Sequence, residues 1–155
     1  MTETRAQTTR EGATREERLA AMLQAIPYFR FLGMTAELAG DEMTAVLPFA
    51  PHLVGNVMIP ALHGGVIGAF LEMTALCQLA VREPLRRQPK TIDVTIEYLR
   101  PGRAQTTYAR ADVRKIGRRI ANVHVEAWQD HRASPVAALR GHFLLSVPEG
   151  EEKPE

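Results

Sequence analysis

The sequence predicts an α+β fold in which one antiparallel sheet wraps around a long, central buried helix. Three observations carry that prediction. Residues 65 to 82, GVIGAFLEMTALCQLAVR, are apolar on nearly every face, interrupted chiefly by Glu72, Thr74 and Gln78, and a helix that is apolar all round belongs inside a protein. From 92 to 98, Ile92, Val94, Ile96 and Tyr98 alternate with Asp93, Thr95 and Glu97, the period-two pattern of a half-buried strand. Beyond it, turn-forming residues cut the chain at short intervals, as Pro101-Gly102, Gly117-Arg118 and Asp130-His131-Arg132, which is how successive strands are punctuated.

A chain of 155 residues suits one domain and buries roughly two-thirds of its unfolded surface. Residues 1 to 13 and 148 to 155 are polar and lack any apolar period, so both are expected to be disordered tails around a single domain over 14 to 147. The N-terminal stretch has no continuous apolar core of the kind a signal peptide requires. Thr14 and Glu17 form a capping-box pattern, and Leu19, Met22, Leu23 and Ile26 recur at helical spacing, predicting a short helix that ends near Pro27. The runs Met34 to Ala39 and Met43 to Phe49, split by Gly40-Asp41-Glu42, predict a hairpin. Pro48, Pro51 and Pro60 bracket a loop before the long helix. After it, the strand over 92 to 98 is expected to continue as a meander with strands near 105 to 116, 119 to 129 and 135 to 147. Ala121, Val123, Val125 and Ala127 would form an inward face.

The long helix approaches the roughly twenty apolar residues that span a bilayer. A carboxylate at its centre is costly in lipid, and everything after it reads as strands, so burial in protein is expected and no membrane partner. One sheet covers one face of such a helix, and a second copy of the chain is the simplest cover for the other. A net charge of +1 carries no basic signature of nucleic-acid binding. The lone Cys77 cannot form an internal disulfide and reads as a small buried hydrophobe, which fits a reducing, cytoplasmic setting.

Candidate chemistry is densest from Asn56 to Glu72, NVMIPALHGGVIGAFLE. His63-Gly64-Gly65 puts two glycines where a loop becomes a helix. The first turn offers unpaired N–H groups and the positive end of the helix dipole, donors of the kind that hold a developing oxyanion, and glycine admits a ligand closely. Glu72 is informative because a buried, unpaired carboxylate costs several kcal/mol. It lies eight residues after Gly64, roughly 12 Å along the axis. The two therefore meet one carbonyl carbon only if antiparallel helices of two subunits bring Gly64 of one near Glu72 of the other. Asn56 and Thr91 are further candidates, each of which would equally serve a loop or a strand start. His52, His124, His131 and His142 have no metal-ligand spacing, so no metal is expected. Serine-nucleophile elbows, phosphate loops and dinucleotide fingerprints are lacking from the sequence.

HGGVIGAFLE at 63 to 72 and TIDVTIEYLRP at 91 to 101 together resemble the hotdog-fold thioesterases of the phenylacetic-acid-degradation and 4-hydroxybenzoyl-CoA type, over about residues 15 to 147. The resemblance implies a hotdog fold and hydrolysis of an acyl-CoA thioester, with CoA as part of the substrate and no further cofactor. It implies Glu72 as general base or nucleophile, the Gly64 N–H as polariser of the carbonyl with Asn56 beside it, and Thr91 placing the water, next to the His63-Gly64-Gly65 helix start. Arg100, Arg103, Arg118 and Arg119 stand near strand ends where CoA phosphates would meet basic residues. Two positions depart from the pattern: Asn56 is one residue further from His63 than usual, and Leu76 replaces a threonine that some relatives carry. The assembly implied is a homodimer, with a dimer of dimers (homotetramer) also open. Two other readings share the fold: an enoyl-CoA hydratase or dehydratase in which His52 or His63 pairs with Glu72, and a non-catalytic acyl-CoA binder.

Overall fold

The computed structural model describes residues 12–82 and 88–145. Apart from Gly12 and Ala13, the two expected tails lie outside the described residues. Helix α1 (Arg15–Ala25) starts with the expected capping box: Glu17 N–H donates to Thr14 Oγ1 at 3.1 Å and Thr14 N–H to Glu17 Oε2 at 2.9 Å. A second short helix, α2 (Pro27–Leu32), follows where only a helix end was expected. Proline stops α1 because it has no N–H to give a preceding turn, and that same lack is harmless at the first position of a new helix.

Strands β1 (Thr35–Ala39) and β2 (Glu42–Leu47) form the hairpin expected from Gly40-Asp41, with Gly40 at φ 68° in its two-residue turn. A single 3₁₀ turn over Pro51–Leu53 leads into β3 (Val54–Asn56) and β4 (Ala61–Leu62), a small separate two-stranded sheet in the segment read as plain loop. Helix α3 (Gly64–Arg82) comes next, then β5 (Lys90–Tyr98), β6 (Thr107–Ile116), β7 (Ile120–Trp128) and β8 (Ala137–Leu144). The main sheet is antiparallel and six-stranded in the order β1-β2-β6-β7-β8-β5.

That order corrects the expected meander. β6, β7 and β8 do follow one another, but β5 pairs with β8 at the sheet edge and β6 joins β2. The reason lies in the connection from Leu99 to Thr106, which is too long for a tight hairpin and is anchored elsewhere: Leu62 N–H donates to Gly102 O at 2.8 Å and Ala104 N–H to Pro60 O at 3.2 Å. The chain therefore crosses the end of α3 instead of turning back on itself. The result is the hotdog arrangement, a sheet curled around one helix.

The core sits between that helix and the sheet. Ala121, Val123, Val125 and Ala127 of β7 face it as expected, and Phe70, Leu71, Ala75, Cys77 and Leu79 fill it from α3. Helix α3 has the length and hydropathy of a membrane span, yet most of it is buried within this chain. Arg18 of α1 closes its C-terminus, donating from Nε to Ala80 O at 2.9 Å and from Nη2 to Val81 O at 2.8 Å. Burial is not complete all round, contrary to the reading of the sequence. Gly65 is exposed, and Ala69, Glu72, Met73 and Ala80 are half-buried; at this spacing they form one stripe along the helix.

A bulge in β5 is the feature that most affects the site. Thr91 pairs with Phe143 and Asp93 with His142, leaving Ile92 as an extra residue. Strict alternation would have turned Ile92 inward and Thr91 outward. Instead Ile92 is 50% exposed, and Thr91 joins Val94, Ile96 and Tyr98 on the helix side, each opposite a buried residue of β8. Gly141 makes room for this, since a Cβ there would stand 2.8 Å from the Asp93 carbonyl oxygen.

Candidate active site

The start of α3 is held by a dense set of bonds. His63 N–H donates to Leu53 O at 2.9 Å, and His63 O accepts from Val66 N–H at 3.0 Å and Ile67 N–H at 3.1 Å, which makes His63 the cap of the helix. Its ring turns back onto the first turn, Nδ1 accepting from Gly65 N–H at 2.9 Å. From the other side, Tyr98 at the end of β5 donates its hydroxyl to Gly64 O at 2.7 Å. Both polar atoms of the peptide joining Gly64 to Gly65 are thereby engaged. The preceding N–H, that of Gly64, has no acceptor among the described residues, and it points from the positive end of a helix of 19 residues.

Glu72 lies two turns on, in the incompletely covered stripe. Thr91 Oγ1 donates to Glu72 Oε1 at 2.6 Å. Oε2 has no protein partner among the described residues. The β5 bulge brings Thr91 to the same face as Glu72, a recurrent use of bulges beside active sites. Strand β5 thus touches α3 at both ends, Thr91 on Glu72 and Tyr98 on Gly64.

The remaining expected site residues separate into groups. Asn56 is exposed at the end of β3, its Oδ1 taken by Met58 N–H at 3.0 Å, so its oxygen stabilises the turn and its amide N–H groups alone remain for a ligand. The Gly65 N–H is taken up by His63 Nδ1. A Cβ at Gly65 would lie 3.0 Å from His63 Nδ1, so this glycine accommodates the capping ring. Arg100 and Arg103 lie at the Gly64 end of the molecule, where Arg103 pairs with Asp130 and with Ala61 through a backbone bridge. Arg118 and Arg119 lie at the opposite end of the sheet, near the Thr91 end of β5, since Ile120 and Lys90 both pair with Leu144. There they line an open depression of about 630 Å³ with Lys115, Asn122 and His142. His142 is held in it by Asp93 at 2.9 Å and Asn122 at 3.1 Å.

Neither histidine suggested as a dyad partner is bonded to Glu72: His63 caps the helix and His52 Nε2 bonds to Phe31 O at 2.7 Å. Among the described residues no group of three His, Cys, Asp or Glu side chains is placed to hold a metal ion. Tyr98 is the site residue the sequence reading missed. It was read as one more apolar position of an alternating strand, and only the crossing of β5 over the helix start gives its hydroxyl a role.

Comparison with known proteins gives a consistent result. A family model described as the thioesterase superfamily matches residues 60–136. A medium/long-chain acyl-CoA thioesterase of Escherichia coli (strain K12), YigI, is 33% identical over 135 residues, spanning 77% of this chain and 86% of that protein. Among solved structures, a Chromobacterium violaceum protein is 41% identical with a TM-score of 0.68, covering 87% of this chain and 95% of that one. The Escherichia coli PaaI protein from the phenylacetic acid degradation operon shares the fold at a TM-score of 0.72 and 19% identity, over 85% of this chain and 93% of its own.

Proposed function

Since the chain belongs to the thioesterase superfamily, we propose that it hydrolyses acyl-CoA thioesters, with Glu72 as the reacting carboxylate and the Gly64 N–H as the oxyanion donor. The observation that carries this reading is the 2.6 Å bond from Thr91 to a half-buried Glu72, which orients one carboxylate oxygen and leaves the other for chemistry. Glu72 accepts the proton of an attacking water, or attacks the carbonyl carbon itself. As the tetrahedral adduct forms, charge develops on the carbonyl oxygen and is met by the Gly64 N–H and an amide N–H of Asn56. Where water attacks, collapse breaks the C–S bond and the departing thiolate takes the proton held by Glu72, giving CoA and the free acid. Where Glu72 attacks, collapse leaves a mixed anhydride on Glu72, which water then hydrolyses to the free acid while the thiolate takes up the proton released.

The site is shared between two subunits in this proposal. Among the described residues, edge strand β5 has one side without a strand neighbour, and a row of unpaired N–H and C=O groups recruits another strand. Its exposed Ile92 and Tyr98, Leu99 just beyond it, and the hairpin tip Val57, Met58 and Ile59 at 80%, 86% and 61% exposure, are apolar surface that a partner would cover. Antiparallel pairing of β5 with its own copy, centred on Thr95, sets Tyr98 against the bulge that carries the partner's Thr91. That places Gly64 of one protomer near the partner's Glu72, as a single thioester requires. It also draws Arg100 and Arg103 toward the partner's Arg118 and Arg119, two pairs that lie at opposite ends of one chain, to receive the CoA phosphates.

Medium and long acyl chains are proposed as substrates, on the printed activity of the relative that is 33% identical. The hydratase reading is disfavoured because His52 and His63 are both engaged away from Glu72. The test is release of free thiol from a panel of acyl-CoA esters by wild type and Glu72→Gln, each checked for a folded dimer by light scattering. Turnover by wild type with a loss of at least 100-fold in the variant, the scale of losing a principal catalytic group, supports the reading. Full activity in Glu72→Gln removes it, and tight CoA-ester binding without any thiol release assigns the chain to binding.

A further inference from the structure

We propose that Tyr98 is a positioning residue that fixes the direction of the Gly64 N–H; this rests on the hydrolytic reading above. A helix that begins Gly64-Gly65 has the most pliable backbone available at the very turn that must present a donor. Two consecutive peptide groups decide where that donor points. The first, joining His63 to Gly64, is held through His63 O by Val66 N–H and Ile67 N–H. The second, joining Gly64 to Gly65, is gripped at both ends, its oxygen by the Tyr98 hydroxyl at 2.7 Å and its N–H by His63 Nδ1 at 2.9 Å. With both planes pinned, rotation about Gly64 is removed and its N–H keeps one direction.

The surface beneath Tyr98 is shaped for this contact. A Cβ at Gly64 would lie 3.5 Å from the Tyr98 ring, and one at Gly68 would lie 3.4 Å from its hydroxyl and 2.9 Å from Ile96 Cδ1. Gly64 and Gly68, one turn apart, form a bare strip on which the phenol rests. The bond is a second one to the Gly64 carbonyl, which helix geometry already offers to the N–H four residues on, and a carbonyl oxygen has two lone pairs to accept both. Tyr98 is 55% exposed in the single chain, and the partner strand proposed above would cover it, so the Gly64 carbonyl is the acceptor that its hydroxyl keeps in the assembled site.

The experiment is steady-state kinetics of Tyr98→Phe with an acyl-CoA ester that wild type hydrolyses, beside thermal melting and light scattering. Loss of an oxyanion donor costs about 100 to 1,000-fold, and misaiming one costs less, so kcat is expected to fall roughly tenfold with KM within about twofold. The melting temperature and oligomer mass should match wild type. Combining Tyr98→Phe with His63→Ala should cost less than the product of the single losses, because both side chains hold one peptide. Wild-type kcat in Tyr98→Phe overturns the inference, as does a rise in KM at constant kcat or a loss of activity that accompanies unfolding or dissociation. A wild type without turnover overturns it together with the hydrolytic reading, whereas an active wild type and an unaffected variant overturn it alone.

Discussion

Replacing Thr91 with valine isolates the contact on which the proposed mechanism depends. Valine keeps the β-branched shape that suits a strand and removes one atom's chemistry, the hydroxyl that donates to Glu72 Oε1 at 2.6 Å. A hydrogen bond to a charged group contributes about 1.5 to 3 kcal/mol. Glu72 is only half-buried, so water replaces part of that, leaving about 1 to 2 kcal/mol. Since each 1.36 kcal/mol is a factor of ten in rate, kcat should fall about 5 to 30-fold if that energy orients the carboxylate in the transition state, with folded stability lowered by up to about the same 1 to 2 kcal/mol. Thr91→Ser retains the donor and should retain most of the activity. Thiol-release kinetics on the three proteins, with melting curves, decide the matter. A Thr91→Val enzyme within twofold of wild type refutes the reasoning, because it means that the carboxylate is oriented without the hydroxyl.

Two other predictions concern stability. Arg18→Ala removes three bonds, to Ala80 O, Val81 O and Ala13 O at 2.9, 2.8 and 2.6 Å, and exposes the C-terminal carbonyls of α3. It should cost about 2 to 3 kcal/mol, and Arg18→Lys should not restore it because an ammonium lacks the planar fork; denaturant titration checks both. Burial pushes the Cys77 thiol from 9.0 up to about 12, so the native protein should not react with a disulfide reagent near neutral pH. Between about pH 9 and about 12 the unfolded chain loses this proton while the folded one keeps it, so stability falls as pH rises, by about 1.4 kcal/mol per unit. That part of the slope should be missing in Cys77→Val, and equal slopes in the two proteins would count against it.

Much of this protein is legible in one dimension because local chemistry repeats with the period of its structure. The capping box of Thr14 and Glu17, the long apolar α3 and the inward Ala121, Val123, Val125 and Ala127 all lie where periodicity put them. The hotdog architecture followed from that pattern and from the HGG and YLRP segments. Glu72 was conspicuous as an acid in an apolar helix, for a physical reason that any sequence displays, namely the cost of burying charge. Helix α2 escaped because Pro27 ends one helix and begins another with the same missing N–H.

What the tertiary structure decided are the relations between segments distant in the chain. Strand order was one, because the anchored connection from Leu99 to Thr106 sends β5 to the far edge, and nothing local to β5 records its neighbour. The face of Thr91 was another: a single extra residue at Ile92 inverts the inside and outside of a strand, and it depends on Gly141 of a different strand allowing the close approach. The hydroxyl of Tyr98 and the ring of His63 likewise take their roles from where the helix start happens to lie beneath them. Periodicity is a property of neighbours in sequence, whereas a catalytic geometry is a set of distances between strangers. The residues could therefore be nominated from the sequence, and their partners only from the fold.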